Sequence, residues 1–153
     1  MVMVDKVRKK GYEYISGLYT DDTTLLVFKN IKEGYYIDCS VYDIIAGTLS
    51  KGNQKYFALS NPYNLRNYQM FLKREGVSTC VVDTNNTLHT YTDFIPMICS
   101  CGEYFYITSN ELLSKKKLNC ENCRRIRQEY IEEQDNHRRK RQRNSYLNKK
   151  YHA

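Results

Sequence analysis

Short aromatic and β-branched runs, each closed by glycine or a polar turn, fill the first third of the chain. GYEYISG at 11–17, TTLLVFK at 23–29 and YYID at 35–38 predict strands, and NIKEG joins the last two as a hairpin connection. VYDIIAGTL at 41–49 predicts a short helix with Ile44, Ile45 and Leu49 inward. The clearest helical period before residue 90 is NPYNLRNYQMFLKREG, in which Asn61 suits the cap, Pro62 the first turn and Gly76 the stop. Leu65, Tyr68, Met70, Phe71 and Leu72 supply its broad apolar face. VSTCVVD at 77–83 then predicts a strand and TNNT at 84–87 a turn. DFIPMI and EYFYIT predict two further strands, with CSCG between them as a hairpin knuckle.

From Cys120 the pattern changes to one long helix, reaching about Lys150. Ile126, Tyr130 and Ile131 could pack in its first turns, but EEQDNHRRKRQRNS is polar all round and has no face to bury. Tyr146, Leu147 and Tyr151 form a small apolar patch beyond it. The fold class expected is therefore α+β: a small mixed β-sheet body with one or two short helices, a four-cysteine finger and a long basic C-terminal helix. The expected boundaries are a body at 1–93, a finger at 94–123 and a helical tail at 124–153.

Composition sharpens this picture. The 153 residues hold fifteen tyrosines, five phenylalanines and no tryptophan, so tyrosine is the main large apolar body, with a hydroxyl that needs a partner. The formal net charge is +7, yet Arg124–Ala153 holds ten Lys/Arg against four acids, which leaves the body nearly neutral. A cationic block of this kind favours polyanions. The sequence has no apolar run of the ~20 residues that span a bilayer, and Met1–Lys10 lacks the apolar core of a signal peptide. The expected location is cytoplasmic, with no membrane partner. Disulfides do not persist there, so close cysteine pairs read as metal ligands or redox groups.

Four of the six cysteines stand as Cys99-Ser-Cys101-Gly102 and Cys120-x-x-Cys123, with eighteen residues between the pairs. A tetrahedral metal needs two tight turns that each present two sulfurs, at bonds of ~2.3 Å for zinc. The knuckle supplies one turn and the helix start the other. Redox CxxC pairs work alone in a βαβ setting that is absent here, and four packed thiols or an iron–sulfur cluster are the remaining alternatives to structural Zn2+. Lys115, Lys116, Lys117, Arg124 and Arg125 would offset the charge of a tetrathiolate. Cys39 and Cys80 stand alone in apolar strands and read as buried thiols.

No constellation of catalytic residues accompanies the cysteines. His89 is isolated, His137 and His152 lie in the polar tail, and no GxSxG, phosphate-cradling glycine loop or HxE deaminase motif occurs. The acidic pairs Asp21-Asp22 and Glu132-Glu133 point their carboxylates apart. A closed four-sulfur shell leaves a metal no open position for chemistry. The chain is expected not to be an enzyme.

GYEYISGLY at 11–19, CSCGEYF and CENC resemble the treble-clef or zinc-ribbon fingers of phage and mobile-element proteins, which carry Y-x-(I/V)-x-G-x-Y, C-x-x-C-G-x-x-F and C-x-x-C. The knuckle here has one intervening residue where the family has two, and the two halves lie far apart. KEGYYIDCSVYDIIAGTL at 32–49 and CGEYFYITSNELLSKKKL at 101–118 also run alike, as if one finger had been duplicated and its first copy had lost the metal. The Tyr-, Asn- and Lys-rich character with one zinc staple is similar to small phage accessory proteins, zinc-binding anti-CRISPR proteins among them. That resemblance implies an inhibitor that docks on a Cas9-type effector ribonucleoprotein, or another nucleic-acid-handling protein, and blocks nucleic-acid loading. The alternative is direct DNA or RNA binding by the finger and helix. In either case the residues expected to meet the partner are Arg124, Arg125, Arg127, Arg138, Arg139, Lys140, Arg141 and Arg143. The oligomeric state is left open.

Overall fold

The computed structural model describes residues 2–82, 90 and 92–152, with side chains as far as Leu147. His89, the turn at 84–87 and the end of the strand expected at 77–83 lie outside the described residues, as do the side chains of Tyr151 and His152. The chain divides into two compact units, Met1–Leu118 and Asn119–Ala153.

Unit 1 repeats one supersecondary series. Helix α1 (Met3–Lys9) leads into the antiparallel meander β1 (Tyr12–Ser16), β2 (Leu25–Asn30) and β3 (Tyr36–Ser40), which runs directly into the short helix α2 (Val41–Ala46). After α3 (Gln54–Phe57), helix α4 (Asn64–Arg74) leads into a second antiparallel meander, β4 (Cys80–Val81), β5 (Phe94–Ile98) and β6 (Tyr104–Thr108). That meander runs directly into α5 (Ser109–Leu113). The α+β class holds, with the strands divided between two three-stranded sheets. The period of two along each strand selects the inner faces. Leu26 opposes Cys39 and Phe28 opposes Ile37 in the first sheet; Ile95 opposes Ile107 and Met97 opposes Phe105 in the second. All are buried except Phe105, which is half-buried.

The segments that echo each other in sequence occupy matching places. Gly34 and Gly102 both take the left-handed conformation in the hairpin loops, with φ of 81° and 91°. Ser40 and Thr108 end β3 and β6 and cap the helices that follow, accepting from the amides of Asp43 and Glu111 at 3.1 and 3.2 Å. Val41 and Ile44 are the buried residues of the first of those helices and Leu112 is that of the second.

Helix α4 starts later than its apolar period suggests. Asn61 is not its cap but a buried side chain, whose Nδ2 donates to the carbonyls of Tyr36 and Tyr56 at 3.0 and 3.1 Å. Its Oδ1 accepts from the Tyr63 amide, which makes a turn ahead of the helix. Asn67, one of the buried residues of α4, accepts from the Tyr36 amide at 2.9 Å and donates to the Tyr36 and Tyr56 carbonyls, both at 2.8 Å. Backbone groups that meet no neighbouring strand thus find amide side chains, as buried polar groups require. Around them Tyr35, Tyr56, Phe57 and Tyr68 pack ring to ring, Phe57 stacked on Tyr68 with centroids 4.9 Å apart and Tyr35 edge-to-face with Phe57 at 5.1 Å. Asn67→Ala removes three hydrogen bonds; Asn61 still donates to both carbonyls, but the Tyr36 amide loses its side-chain acceptor, and the change is expected to destabilise the fold by about 2 kcal/mol. A thermal or denaturant melt of the variant measures this, and a loss below about 1 kcal/mol would show that water replaces the amide.

Unit 2 contains α6 (Glu121–His152), 32 residues long. Ile126, Tyr130 and Ile131 do not pack as the sequence suggested; each is exposed, as are Tyr146 and Leu147. The heptad-like apolar stripe that would seat such a helix is missing, since its apolar residues are too few and too far apart. Among the described residues no helix is long and apolar enough to cross a membrane.

Candidate metal centre

The first cysteine pair sits where β5 turns into β6. The Cys99 amide donates to the Glu103 carbonyl at 2.8 Å, and the Gly102 amide donates to the Cys99 carbonyl at 2.9 Å. This tight loop requires the positive φ of Gly102 and leaves Cys99 buried and Cys101 exposed.

The second pair is delivered by the segment after α5. Thr108 and Glu111 form a reciprocal capping box that starts α5. The Thr108 backbone and side-chain hydrogen bonds, with Lys117 beside it at 3.2 Å, hold the Glu111 carboxyl below its ordinary range. Lys115 and Lys117 take left-handed backbone conformations, and the Thr79 hydroxyl donates to the Leu118 carbonyl at 2.6 Å. Cys120 follows, buried, immediately before α6. Its Sγ accepts from the Cys123 amide at 3.4 Å, so the sulfur caps the helix as a serine oxygen would. One turn of helix then places Cys123, half-buried, on the same side.

The sulfurs of Cys99, Cys101, Cys120 and Cys123 all lie within 4.8 Å of one another. Corners of a tetrahedron with metal–sulfur bonds of ~2.3 Å are about 3.8 Å apart, so the four thiols can close on one ion with small side-chain adjustments. The donor set is all sulfur, which suits a soft or borderline metal and leaves no open coordination position. Amide donation to sulfur, as from Cys123 to Cys120, favours the thiolate. The cations expected to balance such a site are partly committed elsewhere, since Lys115 pairs with Glu75 at 3.1 Å and Lys117 with Glu111. Arg124 Nε donates to the Asn119 carbonyl at 3.2 Å.

The first hairpin solves the same problem without sulfur. Asn30 stands where Cys99 stands: its amide donates to the Tyr35 carbonyl at 2.8 Å and its carbonyl accepts from the Gly34 amide at 2.7 Å. The Asn30 side chain accepts from the Glu33 amide and donates to the Tyr56 hydroxyl, both at 2.8 Å. Tyr56 belongs to α3, the helix that follows α2, and its hydroxyl also meets that of Tyr12 at 3.1 Å. Burial pushes the Tyr56 phenol above its ordinary value, so it stays a neutral hydrogen-bonding group.

The other two cysteines differ from each other. Cys39 is buried, and desolvation pushes its thiol up to about 12, which keeps it protonated and inert. Cys80, expected to be buried, is exposed. It opposes Ile98 in register, on the face of the second sheet that carries Tyr104. The period of two turns it away from the buried side that Val81 occupies.

The expected partner-binding cations all lie on α6 and all are exposed. Arg125 reaches Glu129 at 4.0 Å, and Arg138 reaches Asp135 at 3.3 Å. Arg127, Arg139, Lys140, Arg141 and Arg143 make no ion pair among the described residues. Steps of 100° per residue spread these charges around the axis instead of along one stripe. No family model, curated protein or solved structure matches the chain.

Proposed function

We propose that this protein is a non-catalytic binding protein, that Zn2+ held by Cys99, Cys101, Cys120 and Cys123 is its structural ion, and that α6 binds the phosphates of nucleic acid. The observation that carries the reading is the exposure of α6 along its described length. A helix with no apolar face, on which Arg139, Lys140, Arg141 and Arg143 make no ion pair among the described residues, is suited to a solvated polyanion. The zinc fixes the helix start, because two of its four ligands are the residue before α6 and a residue one turn in. Four thiolates fill the shell, so the ion contributes folding energy and no chemistry. The test is fluorescence anisotropy of a labelled duplex titrated with zinc-loaded protein between 50 and 200 mM salt. Binding that weakens steeply across that range is the expected result; absence of binding at the lower salt defeats the proposal.

A second reading draws on a separate observation. The outward face of the second sheet carries Phe94, Tyr104 and Tyr106 at 58, 71 and 70% exposure, large aromatic bodies that a partner protein could cover. On this reading the chain docks on a nucleic-acid-handling assembly, such as a Cas9-type effector ribonucleoprotein, and obstructs loading. Co-purification with the effector that survives nuclease treatment, together with silence toward naked duplex, would favour it over direct binding.

A further inference from the structure

A groove of about 390 Å3 opens on the first meander of unit 1, and its chemistry differs from that of the metal centre. Three lysines border it: Lys10 at the end of α1, Lys51 in the loop after α2, and Lys55 in α3. None of the three makes an ion pair among the described residues. Lys55 is the best placed, since its ammonium lies 5.2 Å from the Tyr56 ring centroid and 5.9 Å from that of Tyr12. These two rings attract the charge without neutralising it. The single carboxylate on the rim, Asp43, already accepts from the Thr48 hydroxyl at 2.9 Å. Ile45 and Leu49 add apolar lining, and Ile45 is exposed. Gly47, at φ 70°, ends α2 and turns the chain into the loop that carries Lys51.

We propose that this groove is a nucleotide site. The ammonium groups of Lys10, Lys51 and Lys55 take a phosphate, and Ile45 and Leu49 take the sugar and base beside it. The net charge is of the right sign, three lysines against Asp43, and the volume falls within the ~300–1,000 Å3 of ligand sites. The lining supplies both cations and apolar side chains, which matches the two kinds of surface on a nucleotide. The phosphate could belong to a strand or to a free nucleotide. The strand version rests on the nucleic-acid reading above and adds a second grip on it; the free-nucleotide version stands without that reading.

The experiment uses the full zinc-loaded chain, two probes and two variants. The probes are a twelve-residue oligothymidylate and 5′-AMP. The variants are Lys10→Gln with Lys51→Gln and Lys55→Gln, which keeps the side-chain stems, and the same replacement at the five cations from Arg138 to Arg143. Amide resonances of Ile45, Gly47, Leu49 and Lys51 are expected to shift with at least one probe. If the oligonucleotide alone shifts them, the occupant is a strand. In that case the groove variant lowers the salt slope of binding by about 2, at ~0.7 per phosphate contact on single strands. If 5′-AMP shifts them equally, free nucleotide is bound. Silent groove amides with both probes overturn the proposal, even when the helix variant still weakens oligonucleotide binding. A helix variant that binds the oligonucleotide as the parent does defeats the function proposed for α6 and leaves the groove to be judged on its own amides. Lys51→Glu, in an exposed loop, repeats the groove measurement if the triple variant fails to fold.

Discussion

Cys123→Ser protein is expected to purify without zinc, and with its knuckle and first turn of α6 disordered. The serine oxygen is a poor substitute for thiolate toward zinc, and three remaining sulfurs leave a coordination position to water. Local folding energy coupled to metal in small fingers reaches ~10 kcal/mol, the largest single effect expected in this chain. Cys101→Ser should behave alike although Cys101 is exposed, since a ligand contributes through the metal and not through its own burial. Elemental analysis gives the stoichiometry, one ion per chain in the parent and none in the variants. Amide exchange around Gly102 and Cys123 gives the loss of order. Full metal content with an unchanged melt in either variant would end the assignment. Cys80→Ser is the control, because Cys80 lies outside the cluster and should leave both readouts as they are.

Neutralising Arg138, Arg139, Lys140, Arg141 and Arg143 together is expected to cost orders of magnitude in duplex affinity while leaving the fold intact. Five phosphate contacts on duplex account for about 4.5 units of the salt slope, at ~0.9 each. The variant's salt slope should therefore fall by about that amount, the remaining slope being carried by Arg124, Arg125, Arg127 and the groove lysines, and at 50 mM its affinity should fall on the order of a thousandfold. Stability should stay within ~0.5 kcal/mol of the parent, because these side chains are exposed and bury no surface. Circular dichroism and a thermal melt check the second half of that expectation. A large drop in melting temperature would show that α6 packs against something through this segment.

Much of the candidate site was legible in the chain because it depends on local spacing. CSCG between two strand-like runs dictates a knuckle, and CENC at the onset of a helical period dictates a second turn of ligands; both are set by neighbours within a few residues. The strands of the two meanders follow from the same kind of local signal. The β-branched and aromatic runs in LLVFKN and FIPMI were enough to place strands there, and the structure decided which of their alternating residues face inward. The expected cap at Asn61 failed for an informative reason. An asparagine before Pro62 is a good local cap, but here its amide serves the carbonyls of Tyr36 and Tyr56, residues contributed by β3 and α3. Asn61, Asn64 and Asn67 fall on one side of a helical period, which was the available sign that they share a buried role. Cys80 was misplaced because an apolar run says that a strand exists without saying which of its faces is covered.

The sequence by itself determined the four candidate ligands, the hairpin knuckle, the cationic helix and its lack of an apolar face, because each is a property of residues adjacent along the chain. Only the tertiary structure decided that four sulfurs separated by up to two dozen positions fall within 4.8 Å of one another. It alone showed that Asn30 bonds to Tyr56 at the position in the first hairpin that Cys99 takes in the second, and that Lys10, Lys51 and Lys55 share a groove. These are proximities created by chain folding: they depend on which faces the packed core brings together, and no pattern confined to one stretch of residues encodes them.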